Sequence, residues 1–150
     1  MNQEIERKYL VTSDCYKEMA VARYHIRQGY ISREKTGTVR VRITNDKAYL
    51  TIKGKPAEGH FARYEWEKEI LVKEAEELMK LCQGTIIDKT RWIVPAMEEG
   101  LKWEVDEFHG KHEGLVVAEI ELASEEQIVV LPAFIGKDVT DDPQYYNANM

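Results

Sequence analysis

The most constraining feature of this sequence is an alternation with a period of two residues that runs through most of the chain. Residues 37–45 show it well, because valine and isoleucine alternate there with arginine and threonine. Successive side chains of a β-strand point to opposite faces, so this period predicts strands rather than helices. Eight segments have the pattern: residues 2–11, 24–33, 37–45, 47–54, 62–72, 85–94, 101–109 and 115–123.

Turn-forming residues separate several of these strands, which favours antiparallel hairpins. The Asn-Asp pair at 45–46 divides two predicted strands, and residues 110–114, with a glycine at each end, divide the last two. Residues 14–22 and 73–82 have helical spacing instead. The sequence therefore predicts a single domain, residues 1–150, of the α+β class. We expect an eight-stranded antiparallel β-barrel with a few short helices outside, since eight strands suffice to close a barrel.

Charged side chains gather on one face of most predicted strands. The bases placed in this way are Lys8, Arg40, Arg42, Lys53, Arg63, Lys89 and Arg91, and the acids are Glu4, Glu6, Glu65, Glu67, Glu104, Asp106, Glu119 and Glu121. One interpretation is the solvated face of a half-buried sheet, which carries charges of both signs. The other is that these groups act together, because a solvated face would mix in far more serine, threonine, asparagine and glutamine.

If the charged faces line the inside of a barrel, the apolar side chains must point outward and be covered by helices, loops or a partner subunit. An interior of this kind suits water, a metal ion and a polyanion. Carboxylates are the oxygen ligands that Mg²⁺ or Mn²⁺ prefers, while arginine forks and lysine point charges match phosphate oxygens. The pattern thus indicates phosphate chemistry assisted by a divalent metal.

Composition narrows the class of partner. The formal net charge is −6, so a nucleic-acid-binding surface is not expected. No apolar run approaches the roughly 18 residues of a membrane span, and charges stand where a signal peptide needs apolar residues. Cys15 and Cys82 have no metal-like spacing, and two reduced thiols are favoured over a disulfide. We therefore expect a cytoplasmic protein that does not bind a membrane.

The order of the charged motifs resembles that of the CYTH, or triphosphate tunnel metalloenzyme, family. The motif Glu-x-Glu-x-Lys lies at the start of the chain as Glu4, Glu6 and Lys8. It is followed in order by GTVRVR, LTIKG, RYEWE, KTR, WEVDEF, GLVVAEIEL and DVTDDPQYYN. The resemblance covers essentially the whole chain and is closest to the compact bacterial single-domain form.

The resemblance implies an eight-stranded antiparallel triphosphate tunnel with the charges inside. It assigns one or two divalent ions to Glu4, Glu6, Glu119 and Glu121. It assigns the triphosphate to Lys8, Arg40, Arg42, Lys53, Lys89 and Arg91. Lys8, Glu6, Glu65 and Glu67 are the candidate catalytic residues, whereas the roles of Arg63, Glu104 and Asp106 stay open.

The leading hypothesis is therefore an enzyme, a tripolyphosphatase that uses Mg²⁺ or Mn²⁺ and attacks the terminal phosphate with a metal-positioned water. Nucleoside triphosphates are further candidate substrates. The alternatives are nucleotide or thiamine triphosphate hydrolysis, adenylyl cyclisation, or a polyphosphate- or nucleotide-binding module without turnover. A homodimer is one way to cover the apolar outer faces, and helices are the other.

Overall fold

The computed structural model describes residues 3–34, 36–55 and 63–150, with the backbone alone at Gln3 and Glu4. The strands of this part are β1 (Gln3–Glu4), β2 (Glu6–Val11), β3 (Ala22–Glu34), β4 (Gly37–Thr44), β5 (Lys47–Gly54), β6 (Arg63–Ile70), β7 (Gln83–Pro95), β8 (Lys102–Phe108), β9 (Val116–Glu121) and β10 (Ile135–Asp138). The helices are α1 (Tyr16–Met19) and α2 (Val72–Met79), and short 3-10 turns lie at Gly110–His112, Pro143–Tyr145 and Asn147–Asn149. Within this part of the chain, no helix has the length and apolar character that crossing a bilayer requires.

The predicted antiparallel sheet with few helices is confirmed, and closure into a barrel stays a prediction. Every strand pair whose register is resolved is antiparallel. The first predicted strand is divided at Ile5, because β1 pairs with β6 whereas β2 pairs with β9. The four-residue strand β10 was not predicted, since it is too short to show a period. Predicted strand ends at residues 2 and 62 lie outside the described residues.

The chain divides into two compact units, and the long strands β3 and β7 contribute to both. The first unit comprises Met1–Glu4, His25–Asp88 and Pro143–Met150. Its neighbouring strands follow the order β1-β6-β5-β4-β3. The second unit comprises Ile5–Tyr24 and Lys89–Asp142, with strand order β7-β8-β9-β2-β10.

In the first unit, helix α2 covers the apolar face of β4 and β5. Ala75 of the helix is fully buried and belongs to the same core as Val41, Ile43 and Ala48. The hairpin that presents this face turns at Asn45, whose φ of 53° lies in the left-handed region that asparagine tolerates. One face of the β4–β5 hairpin therefore packs under the helix, and the arginine side chains of β4 lie on the opposite face.

In the second unit, an aromatic cluster covers the apolar face of the sheet. The ring centroids of Tyr16, on α1, and Phe134 are 5.8 Å apart with the edge of one ring towards the face of the other. Trp103 of β8 makes the same kind of contact with Tyr9 of β2, at 5.7 Å. Such aromatic pairs stabilise a core beyond the area they bury. Elements of the same unit thus cover much of each apolar face, whereas Ile52, Tyr64 and Trp66 of β5 and β6 stay exposed, and the homodimer stays a prediction.

One carboxylate anchors α1 to the sheet of the second unit. Glu107 of β8 accepts a hydrogen bond from the Tyr16 hydroxyl, and a second from the Trp92 indole N–H at 2.8 Å. Its carboxylate also lies 3.3 Å from Lys17 Nζ. Burial alone would raise the pKa of Glu107, but the hydrogen bonds from Tyr16, Trp92 and Lys17 lower it below its ordinary value.

Replacing Glu107 by glutamine should lower the free energy of unfolding by about 1.5–3 kcal/mol, the range for hydrogen bonds to a charged group. Because its pKa is lowered in the folded state, the contribution of Glu107 is complete above the ordinary value of 4.5 and is lost as the pH falls below it. Urea unfolding of the wild type and Glu107→Gln from pH 7 to pH 3 measures both effects. Glu77→Gln, at an exposed α2 pair with Lys80, is the control. A difference between Glu107→Gln and the wild type that grows in acid would contradict this assignment.

Candidate functional site

The charged face of the second unit is buried, unlike the solvated face of an ordinary sheet. Relative exposure is 5% at Lys8, 0% at Lys89, 7% at Arg91, 1% at Asp106 and 8% at Glu119. With the half-buried Glu104, these residues are called here the buried ion cluster. Buried charges are costly unless they are paired and hydrogen-bonded, so a solvated face does not account for them.

Asp106 is the acid that pairs two of the predicted substrate bases. Arg91 Nε donates to Asp106 Oδ1 at 2.7 Å, and Arg91 Nη2 donates to Oδ2 at 2.8 Å. Lys89 Nζ donates to Asp106 Oδ2 at 2.7 Å, while Arg91 Nη1 lies 3.2 Å from Glu104 Oε2. Asp106 therefore pairs with both bases and Glu104 pairs with Arg91, while the roles of the two acids in the reaction stay open.

Lys8 is held both by its side chain and by its backbone. Its Nζ lies 3.2 Å from Glu119 Oε1, and the two residues face each other across β2 and β9. Its backbone N–H donates to Thr140 Oγ1 at 3.0 Å, and its carbonyl accepts the Val139 N–H at 2.8 Å. The Thr140 hydroxyl in turn donates to Asp138 Oδ1 at 2.6 Å. The segment after β10 thus fixes the position from which Lys8 extends.

Mutual attraction keeps the cluster charged. Burial alone would raise the pKa of Glu119, but Lys8, Arg91 and Lys89 hold it well below its usual range. Burial alone would lower the pKa of Lys8, but Glu119 and Glu6 raise it. Lys8 therefore carries a proton at neutral pH, and it acts as a cation and hydrogen-bond donor rather than as a base.

The carboxylates predicted to bind metal lie on neighbouring positions of β2 and β9. Glu6 lies opposite Glu121, and Glu119 is two residues along the same strand. A hydrogen bond from Glu6 helps to lower the pKa of Glu119. Among the described side chains, no group of three His, Cys, Asp or Glu residues already has a metal-site arrangement. The oxygen donors nevertheless fit a hard divalent ion in chemical type. The Glu4 side chain lies outside the described residues.

The first unit carries a second polar face, called here the arginine face, which consists of Gln28, Arg40, Arg42, Thr51 and Glu67. Arg42 Nε donates to Gln28 Oε1 at 2.8 Å, and Arg40 Nη2 donates to Thr51 Oγ1 at 3.3 Å. The Thr51 hydroxyl donates to Glu67 Oε2 at 2.7 Å. The two predicted substrate arginines of β4 are therefore held by neighbouring strands on each side.

The remaining predicted residues also fall on the first unit. Lys53 of β5 lies opposite Thr38 on one side and Glu65 on the other. Arg63 lies opposite the backbone of Glu4 at the pairing of β1 with β6. Arg40 Nη2 lies 3.7 Å from Glu67 Oε2. The Glu67 side chain is the more exposed of the two. The predicted residues thus fall into two sets, one in each unit, and Glu4 and Glu6 belong to different units.

Sequence reasoning gave no role to two polar residues that belong to these groups, although one of them, Thr140, lies in the motif DVTDDPQYYN. Gln28 is fully buried on the arginine face, where it sits between Ile26 and Tyr30 on an otherwise apolar stripe. Thr140 supports the Lys8 backbone from a segment without periodicity. The buried position of one amide within a regular strand is the only signal that could have indicated Gln28.

Asp106→Asn should lower the free energy of unfolding by about 3–5 kcal/mol, because it leaves Lys89 and Arg91 buried without their shared anion. Urea denaturation measures the change. Asp88→Asn removes the same charge from an exposed pair with His25 and should cost less than about 1 kcal/mol. Equal losses in the two variants would contradict the role given to Asp106.

The comparisons with known proteins agree along the whole chain. The CYTH domain family model matches residues 2–146. An inorganic triphosphatase of Acetivibrio thermocellus is 47% identical over 151 residues, which covers 100% of this chain and 94% of that protein. An inorganic triphosphatase of Nitrosomonas europaea is 31% identical over 147 residues, covering 96% and 93%.

A solved structure supports the same relationship. The crystal structure of the inorganic triphosphatase NE1496 aligns with a TM-score of 0.70 and 29% identity, over 99% of this chain and 94% of that one. The family resemblance of the charged motifs is therefore confirmed. The chain belongs to the CYTH domain family.

Proposed function

We propose that this protein hydrolyses inorganic tripolyphosphate with the help of a divalent metal ion. The relative from Acetivibrio, at 47% identity, is an inorganic triphosphatase, and the same name applies to the relative from Nitrosomonas. Because the family match extends over residues 2–146, we also propose that the chain is one functional domain.

The observation that carries the proposal is the burial of cations in a sheet that already has an apolar core. Lys8, Lys89 and Arg91 are each less than a tenth exposed, and each has a carboxylate partner. Hydrophobic residues of similar size would stabilise the fold at least as well as buried ion pairs. A polyanionic substrate gives a reason for placing bases there.

The proposed phosphate ligands are the bases predicted from the sequence. They are Lys8, Arg40, Arg42, Lys53, Lys89 and Arg91. Arginine offers a planar fork to phosphate oxygens, and lysine offers a compact charge. Asp106 and Glu104 orient Arg91 before substrate binds, so less conformational freedom is lost on binding.

The proposed reaction is attack of water on the terminal phosphorus. The water oxygen bonds to phosphorus as the bond from that phosphorus to the bridging oxygen breaks, which leaves phosphate and pyrophosphate. Protonated Lys8 stabilises charge that develops on the phosphoryl oxygens, and Glu65 and Glu67 are proposed to orient the water. Positioning and electrostatics supply most of the catalysis in phosphoryl transfer, so a strong base is not required.

Membership of the CYTH family implies a divalent metal ion. We propose that Glu4, Glu6, Glu119 and Glu121 hold it and that Mg²⁺ or Mn²⁺ is the ion, because carboxylate oxygens suit both. When bound, the ion supplies positive charge that polarises the phosphoryl group. In support, Glu6 lies opposite Glu121 across β2 and β9, with Glu119 two residues along β9.

Phosphate release from tripolyphosphate, pyrophosphate, ATP and thiamine triphosphate tests the function. Each substrate is assayed with EDTA, Mg²⁺ or Mn²⁺. We expect release that requires metal and is fastest with tripolyphosphate. Pyrophosphate as the product from ATP would indicate a cyclase instead, and tight binding of tripolyphosphate with metal but without hydrolysis would indicate a binding module.

Glu6→Ala and Glu121→Ala should each reduce turnover of tripolyphosphate by on the order of 100-fold or more, because each removes a proposed metal ligand from the charged site. Glu77→Ala, on the exposed face of α2, is the control and should leave turnover unchanged. Steady-state phosphate release at several metal concentrations measures the effect. Near-normal activity of either site variant, with a normal metal requirement, would contradict the ligand assignment.

A further inference from the structure

Gln28 is a fully buried amide whose hydrogen bonding is only half complete. It lies on β3 directly opposite Arg42 and has a relative exposure of 0%. An amide removed from water without partners costs free energy, so buried amides are normally hydrogen-bonded at both ends. A half-satisfied amide in such a place requires an explanation.

The orientation of this amide follows from its partner. Arg42 Nε donates to Gln28 Oε1 at 2.8 Å. A guanidinium group has donors and no acceptor, so the oxygen of the amide must face Arg42 and the nitrogen must face away. In the described part of the chain, no acceptor lies within hydrogen-bonding reach of Gln28 Nε2. A donor is therefore held in a defined direction with nothing to receive it.

The arginine face has a second buried donor that lacks a hydrogen-bond acceptor among the described residues. Arg40 Nε has no acceptor among the described residues, although its Nη2 donates to Thr51. Arg40 lies two residues along β4 from Arg42, and so it is a diagonal neighbour of Gln28, roughly 7–8 Å away for such positions. Two unsatisfied donors side by side are complementary to a ligand that only accepts hydrogen bonds, as the non-bridging oxygens of a phosphate chain do.

We propose that Gln28 Nε2 binds the substrate. It and Arg40 Nε each donate a hydrogen bond to a non-bridging oxygen of the triphosphate. This inference rests on the proposed function, and it adds a residue outside the charged set. The amide is neutral, so it binds an oxygen without contributing to the charge that attracts any anion. Gln28 therefore recognises the position of a phosphate oxygen rather than its charge.

The competing explanation is that Gln28 only positions Arg42. The two roles differ in how the residues depend on each other. If Gln28 acts solely through Arg42, its replacement has no effect once Arg42 has been removed. If Gln28 Nε2 touches the substrate, its replacement still costs affinity in that background, because the effects of separate contacts add.

The experiment is a double-mutant cycle with Gln28→Met, Arg42→Met and the double variant, measured as kcat/KM for tripolyphosphate with Mg²⁺. Binding of tripolyphosphate to the wild type and to Gln28→Met is also measured by calorimetry in EDTA. We expect Gln28→Met to lower both quantities roughly 10- to 100-fold, as for a hydrogen bond to a charged group. A loss of similar size should persist in the Arg42→Met background. Arg27→Met, next to Gln28 on the same strand and paired with Glu76 of α2, is the control and should behave as the wild type.

Wild-type affinity in Gln28→Met, or a loss that vanishes in the Arg42→Met background, overturns the inference. Thermal unfolding of each variant establishes that it folds. If Gln28→Met does not fold, Gln28→Leu takes its place, since it also lacks the donor and adds no charge. Wild-type affinity of Gln28→Leu overturns the inference, and a loss that persists in the Arg42→Met background supports it. Failure of the proposed function is a separate result, because the wild type itself would then neither bind nor hydrolyse tripolyphosphate.

Discussion

The pairing of Asp106 with Lys89 and Arg91 is the interaction on which the second unit depends. One carboxylate, 1% exposed, satisfies two cations that are 0% and 7% exposed, with N–O distances of 2.7–2.8 Å. Without that anion, two positive charges would remain in a region of low dielectric, at a cost of several kcal/mol. With it, both bases remain charged and are held in fixed orientations.

Each unit buries polar side chains on one face of its strands and has an apolar core on the other face. In the first unit, Ala75 of α2 packs on Val41 and Ile43, and in the second unit Tyr16 and Phe134 cover the sheet. The period-two alternation then sends every second side chain to the opposite face. A strand of this protein therefore serves stability with one half of its residues and chemistry with the other half.

The two polar faces solve the problem of buried charge in different ways. In the buried ion cluster, each of the bases Lys8, Lys89 and Arg91 has an acid as its partner. On the arginine face, neutral groups take part: Gln28 accepts from Arg42, and Thr51 accepts from Arg40, whose Nη2 also lies 3.7 Å from Glu67 Oε2. The first arrangement fixes charge, whereas in the second Gln28 Nε2 and Arg40 Nε have no acceptor among the described residues. A substrate with many equivalent oxygen acceptors would complete the second arrangement.

Local pattern in the sequence determined the strands, the turn at Asn45 and the face on which each charge lies, because side-chain alternation depends only on neighbouring residues. It also carried the order of motifs by which the CYTH family was correctly identified. The pairing of Asp106 with Arg91, the support of Lys8 by Thr140 and the half-satisfied amide of Gln28 were decided by the tertiary structure alone. These contacts join residues 15, 132 and 14 positions apart, and cross-strand register sets them. Register depends on all the strands together, so no single segment of the sequence contains it.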